Sequence, residues 1–240
     1  MRPEVIRELA PTGALRAAIN MSNFLLVTGR TVQGDPAGVA PDMARGIADR
    51  LGVAVCYVPF PSPGALADAA DSGVWDIGLI GAEPQRAEKI AFSPPYVEIE
   101  ATYLVPAGSR VRDIADVDAP GMRIASMARS AYDLWLERNI RHATLVRAST
   151  LDASFERFVS DKLDALAGLR SRLIGDAAKL PGARVLDGRF MTVQQAIGTA
   201  PRNRAAIEFI RQYVDEARRS GLVASLIEKH GARGLTVARG

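Results

Sequence analysis

The chain has 240 residues, 48% hydrophobic, 24% charged and 6% aromatic, the balance of a globular protein with a core to bury rather than of a disordered or fibrous chain. Its 30 Lys and Arg against 27 Asp and Glu leave a formal net charge of +3, carried almost wholly by arginine and without any long run of like charges, which excludes a phosphate-tracking nucleic-acid surface. A lone Cys56, two histidines (His142 and His230) outside any ligand-spaced motif, and no stretch near ~18 consecutive apolar residues exclude an intramolecular disulfide, a thiolate or histidine metal site and a membrane-spanning helix.

Residues 15–19 read as a strand, followed by a loop through Asn20, Asn23 and Phe24 to the turn-rich Gly34-Asp35-Pro36-Ala37-Gly38. Val39, Met43, Ile47 and Leu51 recur at spacing four, with Ala40, Ala44 and Ala48 beside them and Gly52 as a stop, which predicts a helix packed on one face. Residues 53–58 are β-branched and strand-like, 65–70 form a short helix ended near Gly73, and 75–80 are a buried strand. Such a β-α-β-α-β order belongs to a parallel sheet with helices on its faces. Residues 101–105 then run extended between Pro95 and Pro106.

The same grammar repeats. Residues 123–126 are a strand and 130–140 a helix with Tyr132, Trp135, Leu136 and Ile140 on one side; 144–148 are a strand, after which Thr150 caps a helix carrying Leu151, Phe155, Phe158 and Val159. A strand at 163–167, a helix at 171–180 and a strand at 184–186 follow, then an extended segment at 191–199 and two helices, 203–219 and 222–229, with Gly221 and Gly231 as stops. The economical architecture is two α/β lobes joined by two extended crossovers, near 101–106 and 191–199, with the last helices returning to the first lobe. No G-x-G-x-x-G follows a strand and no P-loop occurs, so a single dinucleotide-binding sheet is disfavoured and no cofactor is expected.

The residues Asp76-Ile77-Gly78-Leu79-Ile80 and Glu83-Pro84-Gln85-Arg86-Ala87-Glu88-Lys89-Ile90-Ala91-Phe92-Ser93-Pro94-Pro95-Tyr96 carry something more specific. Together with Gly13-Ala14-Leu15-Arg16, the run from Gly38 to Gly52, Lys162-Leu163-Asp164-Ala165 and the stretch from Ile197-Gly198 to Gly221-Leu222, the chain resembles, in order, the type-3 family of bacterial extracellular solute-binding proteins, the amino-acid-binding components of ABC importers. The resemblance implies a two-lobed periplasmic-binding-protein-like α/β fold (type II) with two parallel-rich sheets. Residues 1–103 and 196–240 would form lobe 1 and 104–195 lobe 2, hinged to close on a small carboxylate ligand in the cleft. It further implies a monomer, an ABC permease as partner, no nucleic acid and no membrane insertion, and a periplasmic location. Residues 1–9 lack the apolar run and cleavage site of a secretory signal, so a chain starting at Met1 is expected in the cytoplasm, where a small-molecule sensor is the alternative role.

Arg86 is the expected anchor, because a guanidinium can hold a carboxylate through two parallel charge-assisted hydrogen bonds; the resemblance implies that it takes the ligand α-carboxylate, against the simpler reading of an ion pair with Glu83 or Glu88. Ser130, just before a helix, offers its hydroxyl and the helix N-terminal amides as an anion site, with Arg129 beside it either as a second cation or facing solvent. Asn20, Asn23 and Phe24 stand where family members place polar groups and an aromatic that stacks on the ligand. Gly81 and Ala82, lacking hydroxyls, offer backbone contacts. Where the family places an aspartate for the ligand ammonium, this chain has Leu169 followed by Arg170. An ammonium desolvated there without a counter-charge is costly, so an anionic or neutral carboxylate is expected unless Glu83, Gln194 or Gln195 serves as partner. Some relatives of the fold are cyclohexadienyl dehydratases, and Glu83 would be the acid in that alternative. With no G-x-S-x-G motif, binding without catalysis is expected.

Overall fold

The structure, a computed structural model, describes residues 3–239, so Met1 and Arg2 of the N-terminal reading lie outside it. The chain divides into two compact units, residues 1–98 with 194–240 and residues 99–193. The first unit opens with α1 (Pro3–Leu9), β1 (Ala14–Asn20) and a short antiparallel pair, β2 (Gly29–Arg30) and β3 (Pro36–Ala37). It continues through α2 (Val39–Leu51), β4 (Ala54–Phe60), α3 (Pro63–Asp68), β5 (Ile77–Gly81), α4 (Pro84–Ala87) and β6 (Ala91–Phe92) to the start of β7 (Val97–Val105). β1 pairs in parallel with β4 on one side and β5 on the other, with Ala18 opposite Val58 and Gly78. The helix α2 ends at Gly52, whose φ of 71° lets its N–H reach back to the Ala48 and Asp49 carbonyls. α3 begins two residues before the expected position because Ser62 accepts the Ala65 N–H at 3.2 Å, which leaves Pro63 in the first turn, where its missing N–H costs nothing.

The second unit holds β8 (Arg123–Met127), α5 (Ala131–Asn139), β9 (Thr144–Ala148), α6 (Leu151–Ser160), β10 (Ala165–Leu169), α7 (Arg170–Ala177), β11 (Arg184–Val185) and the start of β12 (Met191–Thr199). β8 pairs in parallel with both β10 and β9, while β7 runs antiparallel to β10 with Thr102 opposite Gly168. Leu104, Ala125, Phe158, Leu163, Leu166 and Leu173 form its buried core.

β12 carries the chain back to the first unit, where it runs antiparallel to β5 with Ile197 opposite Leu79. α8 (Arg204–Arg219), α9 (Leu222–Lys229) and β13 (Leu235–Val237) complete that unit. Ile210, Tyr213 and Val214 of α8 and Val223 of α9 join Met43 and Ile47 of α2 and Leu9 of α1 in one apolar core, so the C-terminal helices pack on the first unit as expected. Within each unit the parallel strands end on the same side, and that is what places the candidate groups.

Candidate functional site

In the first unit, β1 and β5 are parallel neighbours, so the residues after them emerge at one end of the sheet, where α/β proteins hold ligands. Every residue of β5 is buried, and the strand delivers Gly81 to that end. Ala82 donates its N–H to the Gln194 carbonyl at 2.8 Å, and Glu83, 4% exposed, starts α4 as its N-cap. Arg86 is 5% exposed and donates from Nη1 to the Gly81 carbonyl at 2.7 Å, which fixes the direction of its guanidinium. Its backbone closes the same turn: the Arg86 N–H donates to the Glu83 carbonyl, and the Arg86 carbonyl accepts from Lys89 and Ile90. Gly81, Ala82, Glu83 and Arg86 therefore form one buried group. Two buried ionisable side chains within four residues are costly to desolvate, which marks this turn as more than a loop.

The loop after β1 is pinned by its own asparagines. The Asn20 Oδ1 accepts from the Ser22 N–H at 3.2 Å and hydroxyl at 2.8 Å, and the Asn23 Oδ1 accepts from the Leu25 N–H at 3.3 Å. Leu25 and Leu26 turn into the core and Phe24 is left outside it, 38% exposed.

In the second unit, β8 and β10 are parallel neighbours, so Arg129 and Ser130 after β8 emerge at the same end as Leu169, the last residue of β10, and Arg170 after it. Ser130 caps α5, accepting the Asp133 N–H at 3.1 Å. Asp133, 1% exposed, accepts from the Ser126 hydroxyl at 2.5 Å, the Arg129 N–H at 2.8 Å and Arg147 Nε at 3.0 Å. That carboxylate holds Arg129 at a φ of 60°, a left-handed conformation that side-chain-bearing residues rarely adopt, and so sets how the chain enters α5. Asp133 escaped the sequence reading, although Ser130-x-x-Asp133 has the spacing of a capping box and could have signalled it.

Leu169 is 8% exposed and stands at the N-cap of α7 without a side-chain cap. Arg170 has partners within its own unit: its Nε donates to Glu100 Oε2 at 2.8 Å, Nη1 to the Leu186 carbonyl at 3.3 Å and Nη2 to the Gly188 carbonyl. The Arg170 hydrogen bond, with Arg189 adding to it against the opposing effect of burial, holds the Glu100 carboxyl below the usual carboxylate range. Among the described residues no cluster of His, Cys, Asp and Glu could hold a metal ion, and no helix is long and apolar enough to cross a membrane.

Polar groups gathered at the carboxyl ends of parallel strands, in each of two α/β units, are the arrangement of a protein that recognises a small molecule. The chain matches the bacterial extracellular solute-binding proteins, family 3, over residues 22–233, and it belongs to that family. It is 25% identical over 227 residues to a cyclohexadienyl dehydratase of Pseudomonas aeruginosa, covering 90% of this chain and 82% of the relative. Its fold matches an amino acid ABC transporter substrate-binding protein from Streptococcus pneumoniae bound to L-arginine, with a TM-score of 0.76 and 21% identity over 98% of this chain and 99% of the other. It also matches the ancestral amino acid-binding protein AncCDT-1, a precursor of cyclohexadienyl dehydratase, with a TM-score of 0.73 and 21% identity over 93% and 98%. The expected two-lobed binding-protein fold is thereby borne out.

Proposed function

We propose that this protein reversibly binds a small carboxylate-bearing solute, an amino acid or related organic acid, as the substrate-binding component of an ABC importer acting outside the cytoplasmic membrane. The observation that carries the reading is the buried guanidinium of Arg86, oriented by the Gly81 carbonyl at the end of β5. In the first unit Arg86 takes the carboxylate, with the Ala82 and Glu83 turn beside it. In the second, Ser130 and the first-turn amides of α5, which no helix can satisfy from its own backbone, supply further donors. Leu169 provides no charge for an ammonium, which favours an anionic or neutral acid over a zwitterion.

A thermal-shift screen across amino acids, 2-oxo acids, dicarboxylates and aromatic acids tests this, since a ligand at 100 times its Kd stabilises the folded state by about 2.7 kcal/mol. Arg86→Ala should weaken the responding ligand at least ~10-fold, and Arg86→Lys, which keeps the charge but loses the two-pronged geometry, should fall between. A full response in both variants removes Arg86 from the site.

A second reading rests on the dehydratase relative and the buried Glu83. There, Glu83 would act as the acid that assists loss of water. Incubation with prephenate or arogenate separates the two readings: release of the aromatic product, abolished by Glu83→Gln, makes the protein an enzyme, and intact substrate keeps it a binder.

A further inference from the structure

The second unit contains a cavity of about 320 Å³ that lies apart from Arg129, Ser130, Leu169 and Arg170 and is lined by apolar side chains, among them Pro106, Phe158, Val159, Leu163, Leu180 and Pro181. Phe158 and Leu163 belong to the buried core of the unit, so the cavity reaches down to it, while Val159 at 44% exposed is one of the few large apolar residues left open to solvent. The volume falls at the lower end of the ~300–1,000 Å³ range of small-molecule pockets.

Two charged residues line the same cavity, Lys162 and Asp164. Asp164 is already engaged: it accepts the Arg123 N–H at 2.8 Å and faces Arg123 Nε at 3.8 Å. The Lys162 ammonium has no hydrogen-bond or ion-pair partner among the described residues. Its backbone is also unusual. α6 ends in a paired turn in which Leu163 N–H donates to the Phe158 carbonyl and Lys162 N–H to the Val159 carbonyl, which puts Lys162 at a φ of 48°. That is the left-handed position helices ordinarily give to glycine, and a lysine there is held against its own preference. Strain of this kind in the lining of a cavity, on a residue whose carbonyl is held by Arg123 Nη2 at 2.8 Å but whose ammonium has no hydrogen-bond or ion-pair partner among the described residues, points to a role for the side chain.

We propose that this cavity binds a small apolar monocarboxylate, with the tail against Phe158, Val159 and Leu180 and the carboxylate on Lys162 Nζ. One unpartnered cation in a largely apolar lining, with the one acid already facing Arg123, suits a single negative charge. Arg123 already holds Asp164 Oδ2, which leaves that carboxylate a weaker partner for a ligand ammonium, and a second carboxylate would meet no further cation among the lining residues. This site stands independently of the Arg86 reading.

Octanoate is the probe, with octanol as the uncharged control, titrated into the full chain and followed by amide NMR shifts and calorimetry. Octanoate should bind saturably with shifts confined to residues around 106, 158–164 and 180–183, and octanol at least ~10-fold more weakly, for want of the charge-assisted hydrogen bond. Lys162→Gly should raise the melting temperature by about 2–4 °C through relief of the strained turn, yet bring octanoate down to the affinity of octanol. Val159→Glu, at an exposed position, should abolish binding of both. Lys162→Gly should leave untouched the response of whichever acid answers the Arg86 screen, so the two readings fail separately. Equal affinity for octanoate and octanol, indifference of octanoate to Lys162→Gly, shifts mapping elsewhere, or no saturable binding would each overturn the proposal.

Discussion

On the proposed reading, Leu169 sets what kind of carboxylate the residues around it accept. It closes β10 and stands at the N-cap of α7, 8% exposed, with no side-chain hydrogen bond to the helix. An aspartate at that position would be welcome as a cap, worth about 1 kcal/mol, which partly offsets the roughly 2 kcal/mol lost with the buried leucine. Leu169→Asp should therefore fold, and it should supply the charge that an ammonium lacks. The expected outcome is a shift of at least ~10-fold in the ratio of affinities for an amino acid and its matching 2-oxo acid, in favour of the amino acid, read by calorimetry on both proteins. An unchanged ratio would mean that position 169 does not face the ligand. Arg170, the neighbouring cation, was open to a cleft role from sequence. Its observed partners, Glu100, Leu186 and Gly188, lie from 16 to 70 positions away in the chain, so no local pattern could have revealed them. Arg86 stood out because its motif is contiguous, and the structure shows it buried; of the Asp133 contacts, the Ser130-x-x-Asp133 spacing was readable, whereas those to Ser126 and Arg147 depend on how β8, α5 and β9 pack.

Elements whose signal is internal were readable, and those defined by a partner were not. α2 announces itself through Val39, Met43, Ile47 and Leu51, and its observed bounds are Val39–Leu51. β9 and α9 likewise follow their local pattern. β2, β3 and β6 are two residues each, formed by whichever strand passes beside them, and α1 buries only Val5 and Leu9, too few positions to show a period. The contact between α2 and α8 shows how such packing constrains a residue that propensity alone would replace. Gly46 lies inside α2, where glycine costs about 1 kcal/mol relative to alanine, yet a Cβ there would sit 2.2 Å from the Tyr213 hydroxyl oxygen on α8. Tyr213 is 2% exposed and cannot swing away, and its hydroxyl has no hydrogen-bond partner among the described residues. Gly46→Ala should destabilise by about 2 kcal/mol through overpacking, while Tyr213→Phe alone should be within about 1 kcal/mol of neutral. The double variant should recover most of the loss, giving a coupling of about 1–2 kcal/mol in a urea-unfolding cycle. Simple additivity would show that the helices separate rather than clash.

Across the molecule, the repeated strand-helix order made two α/β units legible, because each unit buries its own periodic apolar faces; the charge network within each unit depends on folding and was not. That network divides unevenly, and the division has a consequence for acid stability. In the first unit, burial pushes the Asp42 carboxyl up, but hydrogen bonds from Lys229 and His230, each 2.8 Å away, outweigh it and hold the carboxyl below its ordinary value. In the second unit, Glu100 is lowered by Arg170 and Asp152 by Arg172; burial pushes Asp118 up, but the N–H groups of Ala143, His142 and Arg141 hold it down. A carboxyl that binds its proton more weakly when folded stabilises the native state above its unfolded pKa, near 4, and that contribution fades as pH falls through the lower folded value. The melting temperature should thus vary little from about pH 7 to about pH 5 and fall below about pH 4. Three of these four carboxyls lie in residues 99–193, so hydrogen exchange followed by mass spectrometry near pH 3 should show that segment opening before the first unit. Asp118→Asn should lower stability at neutral pH and flatten the acid limb in the same segment, because the amide cannot lose what the carboxylate supplied. Earlier opening of residues 1–98 and 194–240 would show that the acid response is governed by other groups.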